Sequence, residues 1–310
     1  MSRLAMNPYV GRFAPSPTGP LHLGSLYAAL ASYLDARANQ GCWLVRMEDV
    51  DPPREVAGAA DTILRQLEAH GLHWDEPVLY QSQRLEAYRE ALEHLRRQCL
   101  IFPCRCPRAR LRSLGGVYDG LCRQTELSGE LSVSDTAIRL VCLEQVINWQ
   151  DLIRGACQTD LGTEVGDFIV RRRDGLIAYQ LAVSVDDAYQ NITHVIRGDD
   201  LLSSTPKQIH ILQLLGQKTP DYGHIPVIQD SRGYKLSKQS FAPAIDSTTP
   251  ASNLYQCLSL LGLAPPRELS GSSCEVLLQW AIPRWQRALL PSAPIRVNSL
   301  ESGSKKPPGE

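Results

Sequence analysis

Three groups of residues carry side chains suited to chemistry. The first is the run from Arg12 to Ser25, Arg-Phe-Ala-Pro-Ser-Pro-Thr-Gly-Pro-Leu-His-Leu-Gly-Ser. Its prolines break regular structure, so it reads as a rigid loop delivering His22 and Gly24 to the start of a helix. Unpaired N–H groups and partial positive charge at a helix start suit phosphate; His22 can donate to a phosphate oxygen, and Gly24 lets backbone or nucleotide come close. The second group is Lys235-Leu236-Ser237-Lys238-Gln239, whose two lysines can bracket a triphosphate and stabilise charge as pyrophosphate leaves. Taken singly, the first is an ordinary turn before a helix and the second a solvated basic loop. The third group, Cys104-Arg105-Cys106 with Tyr118 and Cys122, suits a tetrahedral Zn²⁺ ion. It is not a paired C-x-x-C pattern, and the fourth ligand stays open: Cys99 would complete a four-thiolate site.

The surrounding chain has to hold these groups in place. Tyr9–Ala14 reads as a buried strand, followed by a helix with Leu26, Leu30, Tyr33 and Leu34 on one face and Gly41 placed to end it. Trp43–Met47 is the next strand. A second helix has Val56, Ile63, Leu64 and Leu67 inward, and a third runs roughly from Arg84 to Gln98. Strands alternating with helices of this length predict a parallel α/β sheet. Residues 99–122 lack periodicity and read as an insertion. Phe168–Arg173 and Leu176–Tyr179 flank Asp174-Gly175 as a hairpin, and Ser204-Thr205-Pro206 opens a helix closed by Gly216. Short helical patterns at 252–261 and 275–289 follow, and from Pro291 the chain reads as a disordered tail.

The 310 residues, 43% hydrophobic and 21% charged, exclude collagenous, wholly disordered and coiled-coil readings and leave room for one large domain or two. Thirty-two Lys and Arg against 33 Asp and Glu exclude a generally basic nucleic-acid coat, so any polyanion must be met by a local patch. No run approaches the roughly 18–20 apolar residues of a membrane helix, and Met1–Val10 has no apolar leader, so a cytoplasmic chain with no membrane partner is expected. In that reducing setting the nine cysteines are not expected to form a disulfide framework.

Together, Arg12–Ser25 and Lys235–Gln239 resemble the two signature motifs of the class I aminoacyl-tRNA synthetases, in the right order. With Arg46–Glu55 and Val195–Asp200 between them, the resemblance is to the glutamate branch and covers most of residues 7–240. Two positions depart from the motifs: Ser25 stands where the first has its second histidine, and Gln239 where the second has its final serine.

The resemblance implies a Rossmann-like class I catalytic domain in two halves, 7–98 and 136–240, split by a zinc-binding insertion at 99–135. A short helical extension follows at 241–290, then the tail at 291–310. It implies a glutamate pocket built on Arg12, Phe13, Ala14, Pro15, Ser16, Glu48, Tyr179 and Arg197. ATP with Mg²⁺ would be held by His22, Gly24 and Lys238, with His22, Lys235 and Lys238 as catalytic groups. Glutamate carries two carboxylates and an ammonium, which calls for cationic donors, Arg12 and Arg197, and one acidic acceptor, Glu48. For the insertion it implies one structural zinc on Cys104, Cys106, Tyr118 and Cys122.

Only about seventy residues follow Lys238, too few for the anticodon-reading domain of an ordinary glutamyl-tRNA synthetase. That length, with Asp51-Pro52-Pro53-Arg54-Glu55 and the C-x-C insertion, resembles the glutamyl-queuosine tRNA(Asp) synthetases. These activate L-glutamate with ATP without needing tRNA and esterify it to queuosine at the wobble position of tRNA(Asp). Arg171, Arg172 and Arg173 are candidates for meeting phosphates, and no obligate protein partner is implied. Lys238→Ala is expected to leave the fold intact and to slow glutamate-dependent ATP–pyrophosphate exchange by about 10²–10³-fold, the loss typical of a charge-stabilising donor; an unchanged exchange rate would remove Lys238 from the chemistry.

Overall fold

The computed structural model describes residues 8–123, 136–142, 144–236 and 243–297. Strands β1 (Val10–Phe13) and β2 (Cys42–Met47) lie at the centre of the molecule, with α1 (Leu23–Ala38) crossing between them. Trp43, Leu44, Val45 and Met47 are all buried, the near-continuous apolar run of a strand covered on both faces. The crossover helix is buried on nearly every side, Leu26, Ala29, Leu30 and Leu34 having no exposed surface. Its end differs from the expectation at Gly41. The left-handed residue is Gln40, at φ 55°, whereas Gly41 is needed for close approach: a Cβ there would lie 2.5 Å from the Tyr9 carbonyl oxygen.

After β2 come α2 (Ala59–Ala69), the short β3 (Leu79–Tyr80) and α3 (Leu85–Arg97). Val56, expected inward, precedes α2 and is exposed, because a left-handed Gly58 separates it from the helix. Strand β4 (Ile101–Cys104) and helix α4 (Arg108–Ser113) occupy the cysteine-rich stretch. Next come β5 (Ala137–Leu140), the hairpin of β6 (Val146–Asp151) with β7 (Gly155–Asp160), and β8 (Phe168–Arg171). Helix α5 (Tyr179–Tyr189) leads to β9 (His194–Gly198), α6 (Thr205–Leu214) and β10 (Asp221–Ile225). The chain then runs through β11 (Ile228–Gln229), α7 (Pro250–Leu260), α8 (Cys274–Ala281) and β12 (Ile295–Arg296).

The main sheet has the order β10-β9-β1-β2-β3 and every pairing in it is parallel. Beside it stands a three-stranded antiparallel sheet, β4-β5-β8, from which the cysteine stretch projects. Three expected elements differ. The hairpin after β8 forms but is short, with a bridge between Arg171 and Ile177 and bonds from the Arg172 N–H to the Leu176 carbonyl at 2.8 Å and from the Ala178 N–H to the Val170 carbonyl at 3.0 Å; Tyr179 already begins α5, the Ala178 carbonyl accepting from Leu181 and Ala182. The helix expected over 275–289 ends at Ala281, where Pro283 cannot supply the N–H that would continue it. Residues 291–297, expected within a disordered tail, include β12, paired in parallel with β11.

The C-terminal segment is tied to α1 by one buried carboxylate. Asp35 accepts from Trp285 Nε1 at 2.8 Å, from Arg287 Nε and Nη2 at 2.8 and 2.9 Å, and from the Tyr9 hydroxyl. Burial works against the ionised form, but Arg287 and the two neutral donors hold the Asp35 carboxyl below its ordinary value. Arg287→Met is therefore expected to cost about 3 kcal/mol in urea unfolding at pH 7. The wild-type advantage should fade as pH falls from the unfolded carboxyl's value of about 4 through the lower folded one. An unchanged midpoint would show that the clamp contributes nothing.

Candidate functional site

The C-terminal ends of β1, β2, β9 and β10 open into a cavity of about 650 Å³. Here the strand order reverses, β1 being joined through α1 to β2 on one side and flanked by β9 on the other, the position where open α/β sheets bind ligands. Arg12, Phe13, Ala14, Pro15 and Ser16 reach it from β1 and the loop beyond, His22 and Gly24 from the start of α1, and Glu48 from the end of β2. Tyr179 enters from the first turn of α5, Arg197 from β9, and Lys235 from the turn after β11. Lys238 lies outside the described residues.

The proline loop is held by backbone bonds to its neighbours: the Glu48 N–H donates to the Pro15 carbonyl at 2.9 Å and the Val56 N–H to that of Pro17 at 3.0 Å. His22 is the N-cap of α1, its Nδ1 accepting from the Ser25 N–H at 3.3 Å while Ser25 Oγ accepts from the His22 N–H at 2.8 Å. Ser25 thus completes a capping box in the place where the motif has its second histidine. With Nδ1 accepting, the His22 proton sits on Nε2, a donor at a helix N-terminus. A Cβ on Gly24 would sit 3.2 Å from the His22 ring, so a larger residue would crowd it.

Two arginines are fixed deep in the cavity wall. Arg12 donates from Nε and Nη2 to the two oxygens of Asp187, both at 3.1 Å, which leaves Nη1 without a partner among the described residues. Asp187 also accepts from Arg46 Nη2 at 2.6 Å. Burial opposes its ionisation, yet the charges of Arg12 and Arg46 prevail and lower the carboxyl to about 2. Arg197 donates from Nε to His224 Nε2 at 3.1 Å and from its two terminal nitrogens to Gln208 and Thr205, both at 2.8 Å. His224 is itself fixed by Asp151, 2.5 Å from Nδ1, and burial lowers its pKa, so it is a neutral imidazole that receives the Arg197 proton donor. Glu48 lies 4.0 Å from Arg46. Burial outweighs the attraction of Arg46 and Arg12, and its carboxyl is raised to about 7.

On the opposite wall, Asp230 folds the segment after β11 by accepting from the N–H groups of Arg232 and Tyr234, both at 2.9 Å, and the Leu236 N–H donates to the Ile228 carbonyl at 2.8 Å. Lys235 emerges there and pairs with Asp200 at 2.5 Å.

The cysteine stretch forms a separate cluster. The sulfurs of Cys104, Cys106 and Cys122 lie within 4.8 Å of one another, and the Tyr118 hydroxyl is 3.7 Å from Cys104 Sγ and 3.4 Å from Cys106 Sγ. Cys99, the alternative fourth ligand, is exposed at the end of α3 and is not among the grouped sulfurs. Three thiols and a phenol within reach of one ion are a donor set that fits tetrahedral zinc.

Sequence reasoning overlooked the groups that aim the arginines: Arg46, Asp187, Thr205, Gln208, His224 and Asp151. One signal was present, since Arg46 is a lone charge in an otherwise apolar strand and needs a buried partner. The others stand on elements distant in sequence and show no local pattern.

A family model, the catalytic domain of class I tRNA synthetases (E and Q), matches residues 9–255. The chain is 50% identical over 296 residues to the glutamyl-Q tRNA(Asp) synthetase of Escherichia coli K12, covering 96% of this chain and 94% of that one. It is 49% identical over 300 residues to the one of Methylococcus capsulatus, covering 96% and 99%. Among solved structures, a glutamate tRNA ligase from Elizabethkingia meningosepticum, in complex with its amino acid, matches with a TM-score of 0.77 at 27% identity, over 94% of this chain and 68% of that one. The parallel sheet, the cavity at its reversal and these matches define a class I tRNA synthetase catalytic domain, a ligase fold that uses ATP. Within that class the chain belongs to the glutamyl-Q tRNA(Asp) synthetase family.

The raised carboxyl of Glu48 has a measurable consequence. Its folded value of about 7 exceeds the unfolded one, so the folded state binds this proton more tightly; burying the charge costs stability progressively from about pH 4.5 to 7, and the cost is full above pH 7. Glu48→Gln without ligands is expected to be more stable than wild type at pH 8 by up to about 3 kcal/mol, the difference vanishing near pH 4. A variant less stable than wild type at pH 8 would mean that Glu48 is a structural ion-pair partner.

Proposed function

We propose that the chain activates L-glutamate with ATP in the cavity at the sheet reversal, without RNA, and transfers it to queuosine at the wobble position of tRNA(Asp). The carrying observation is the convergence of two aimed, buried guanidinium groups and one buried carboxyl on a single cavity. Arg12 and Arg197 supply cationic donors to the carboxylates of glutamate, and Ser16 and Tyr179 add neutral hydrogen bonds. Glu48 receives the ammonium, whose charge returns the carboxyl to its ionised form. Phe13, Ala14 and Pro15 shape the wall between them.

ATP binds with Mg²⁺ as its companion ion, its phosphates against His22 Nε2 and the start of α1, where Gly24 allows close approach. An oxygen of the glutamate α-carboxylate attacks the α-phosphorus in line, the bond from that phosphorus to the α,β-bridging oxygen breaks, and pyrophosphate leaves with that oxygen. His22, Lys235 and Lys238 stabilise the charge on the phosphates as this happens, and no protein nucleophile takes part. In the second half, a cyclopentenediol hydroxyl of queuosine attacks the glutamyl carbonyl carbon, AMP departs, and the hydroxyl proton is released. Cys104, Cys106, Tyr118 and Cys122 hold one zinc ion, which stiffens the insertion and stands outside the chemistry.

The names of the relatives matched over nearly their whole length support the acceptor. The test offers labelled glutamate and ATP to the purified protein with two bulk tRNA pools, one containing queuosine and one made without it. Label is expected only in the pool with queuosine. Equal label in both would mean an ordinary synthetase that charges acceptor ends.

A further inference from the structure

A second cavity, of about 470 Å³, opens beside the cysteine cluster and is lined by Arg108, Arg139, Arg172 and Arg173 against the single carboxylate of Asp174. It is not the space of the metal cluster: Cys104 and Cys106 form part of one wall, but Tyr118 and Cys122 do not line it, and a single ion needs far less room. Asp174 is already paired with Arg172 at 2.6 Å. Arg108 has no carboxylate partner among the described residues, and Arg139, only 6% exposed, has an Nε that is buried without a hydrogen-bond partner. The rest of Arg139 is held rigidly, Nη1 donating to the Asp167 carbonyl at 2.6 Å and the guanidinium lying 4.0 Å from the centre of the Tyr118 ring. Four arginines around one cavity, against a single carboxylate that is already paired, are arranged for an anion.

The two cavities are joined by a chain of charges. Arg54 lines the first and pairs with Asp51; Asp51 accepts from Arg172 at 3.1 Å, and Arg172 lines the second. We infer that the second cavity is a phosphodiester subsite that grips the backbone of the acceptor RNA next to the nucleotide presented to the first, an inference that rests on RNA being the acceptor. Arginines suit that ligand, because the fork of a guanidinium matches the oxygens of a phosphate. The chain as a whole is nearly neutral, so a local cluster of this kind is where its affinity for a polyanion must be concentrated.

The test uses the full chain with queuosine-containing tRNA(Asp) and two substitutions. Arg108 is exposed, so Arg108→Glu reverses the charge there without touching the core; Arg139→Gln removes the charge of the buried arginine in the wall. Each is expected to raise the KM for tRNA about tenfold, as for loss of a charge-assisted hydrogen bond, and to lower the slope of log KM against log salt by about 1. Glutamate-dependent pyrophosphate exchange, which needs no RNA, reports that the first cavity is intact, and Arg108→Lys should restore the KM. An unchanged KM and salt slope in Arg108→Glu, with exchange intact, overturns the subsite. Should wild type transfer no glutamate to this tRNA, the proposed function fails. The subsite is then decided by filter retention of the same tRNA: weakened binding by Arg108→Glu upholds it and equal binding removes it.

Discussion

Two guanidinium groups, Arg12 and Arg46, stand close together in the core on adjacent parallel strands, and among the described residues the carboxylate that bonds both is Asp187 on α5. A buried cation without a partner would be far too costly, so this shared carboxylate fixes how α5 lies on the sheet. It also sets the geometry of the cavity. By taking Nε and Nη2 of Arg12, Asp187 orients the guanidinium plane and leaves Nη1 as the remaining edge. The same helix begins with Tyr179, so one ion-pair network places two of the residues proposed to meet glutamate.

The second arginine is aimed by a different principle. Arg197 is surrounded by neutral acceptors, His224, Gln208 and Thr205, and so keeps its full charge for a ligand. The carboxylate that would have neutralised it is one step removed, on Asp151 behind His224. Glu48 faces this positive environment in a buried setting that holds its carboxyl near neutrality until a cation arrives. A pocket of this kind discriminates by charge pattern: an amino acid lacking the side-chain carboxylate would leave an arginine unpaired.

The parts of the fold written in local patterns were legible in the sequence. The alternation of β1, α1 and β2 follows from apolar runs and from the proline loop between them, and the parallel sheet follows from that alternation. The residues reached by motif, from Arg12 to Lys235, line one cavity, because strand ends and helix starts in such a sheet converge on one edge. What could not be read was set by distant contacts. Asp187 lies 175 residues from Arg12, and the pairing of Ile295 with Ile228 turned an apparently irregular tail into a strand. At Gly41 the residue type was informative and the reason differed, since crowding by Tyr9 demands glycine where a left-handed turn was expected.

The central claim is that the aimed arginines and Glu48 make this cavity a site of glutamate activation complete in itself. The most direct measurement is ATP–pyrophosphate exchange by purified protein free of RNA, run in parallel with glutamate, glutamine and aspartate. Exchange driven by glutamate alone is the expected result. Exchange that requires added tRNA, or that glutamine supports as well as glutamate, would contradict the account of how the pocket reads its substrate.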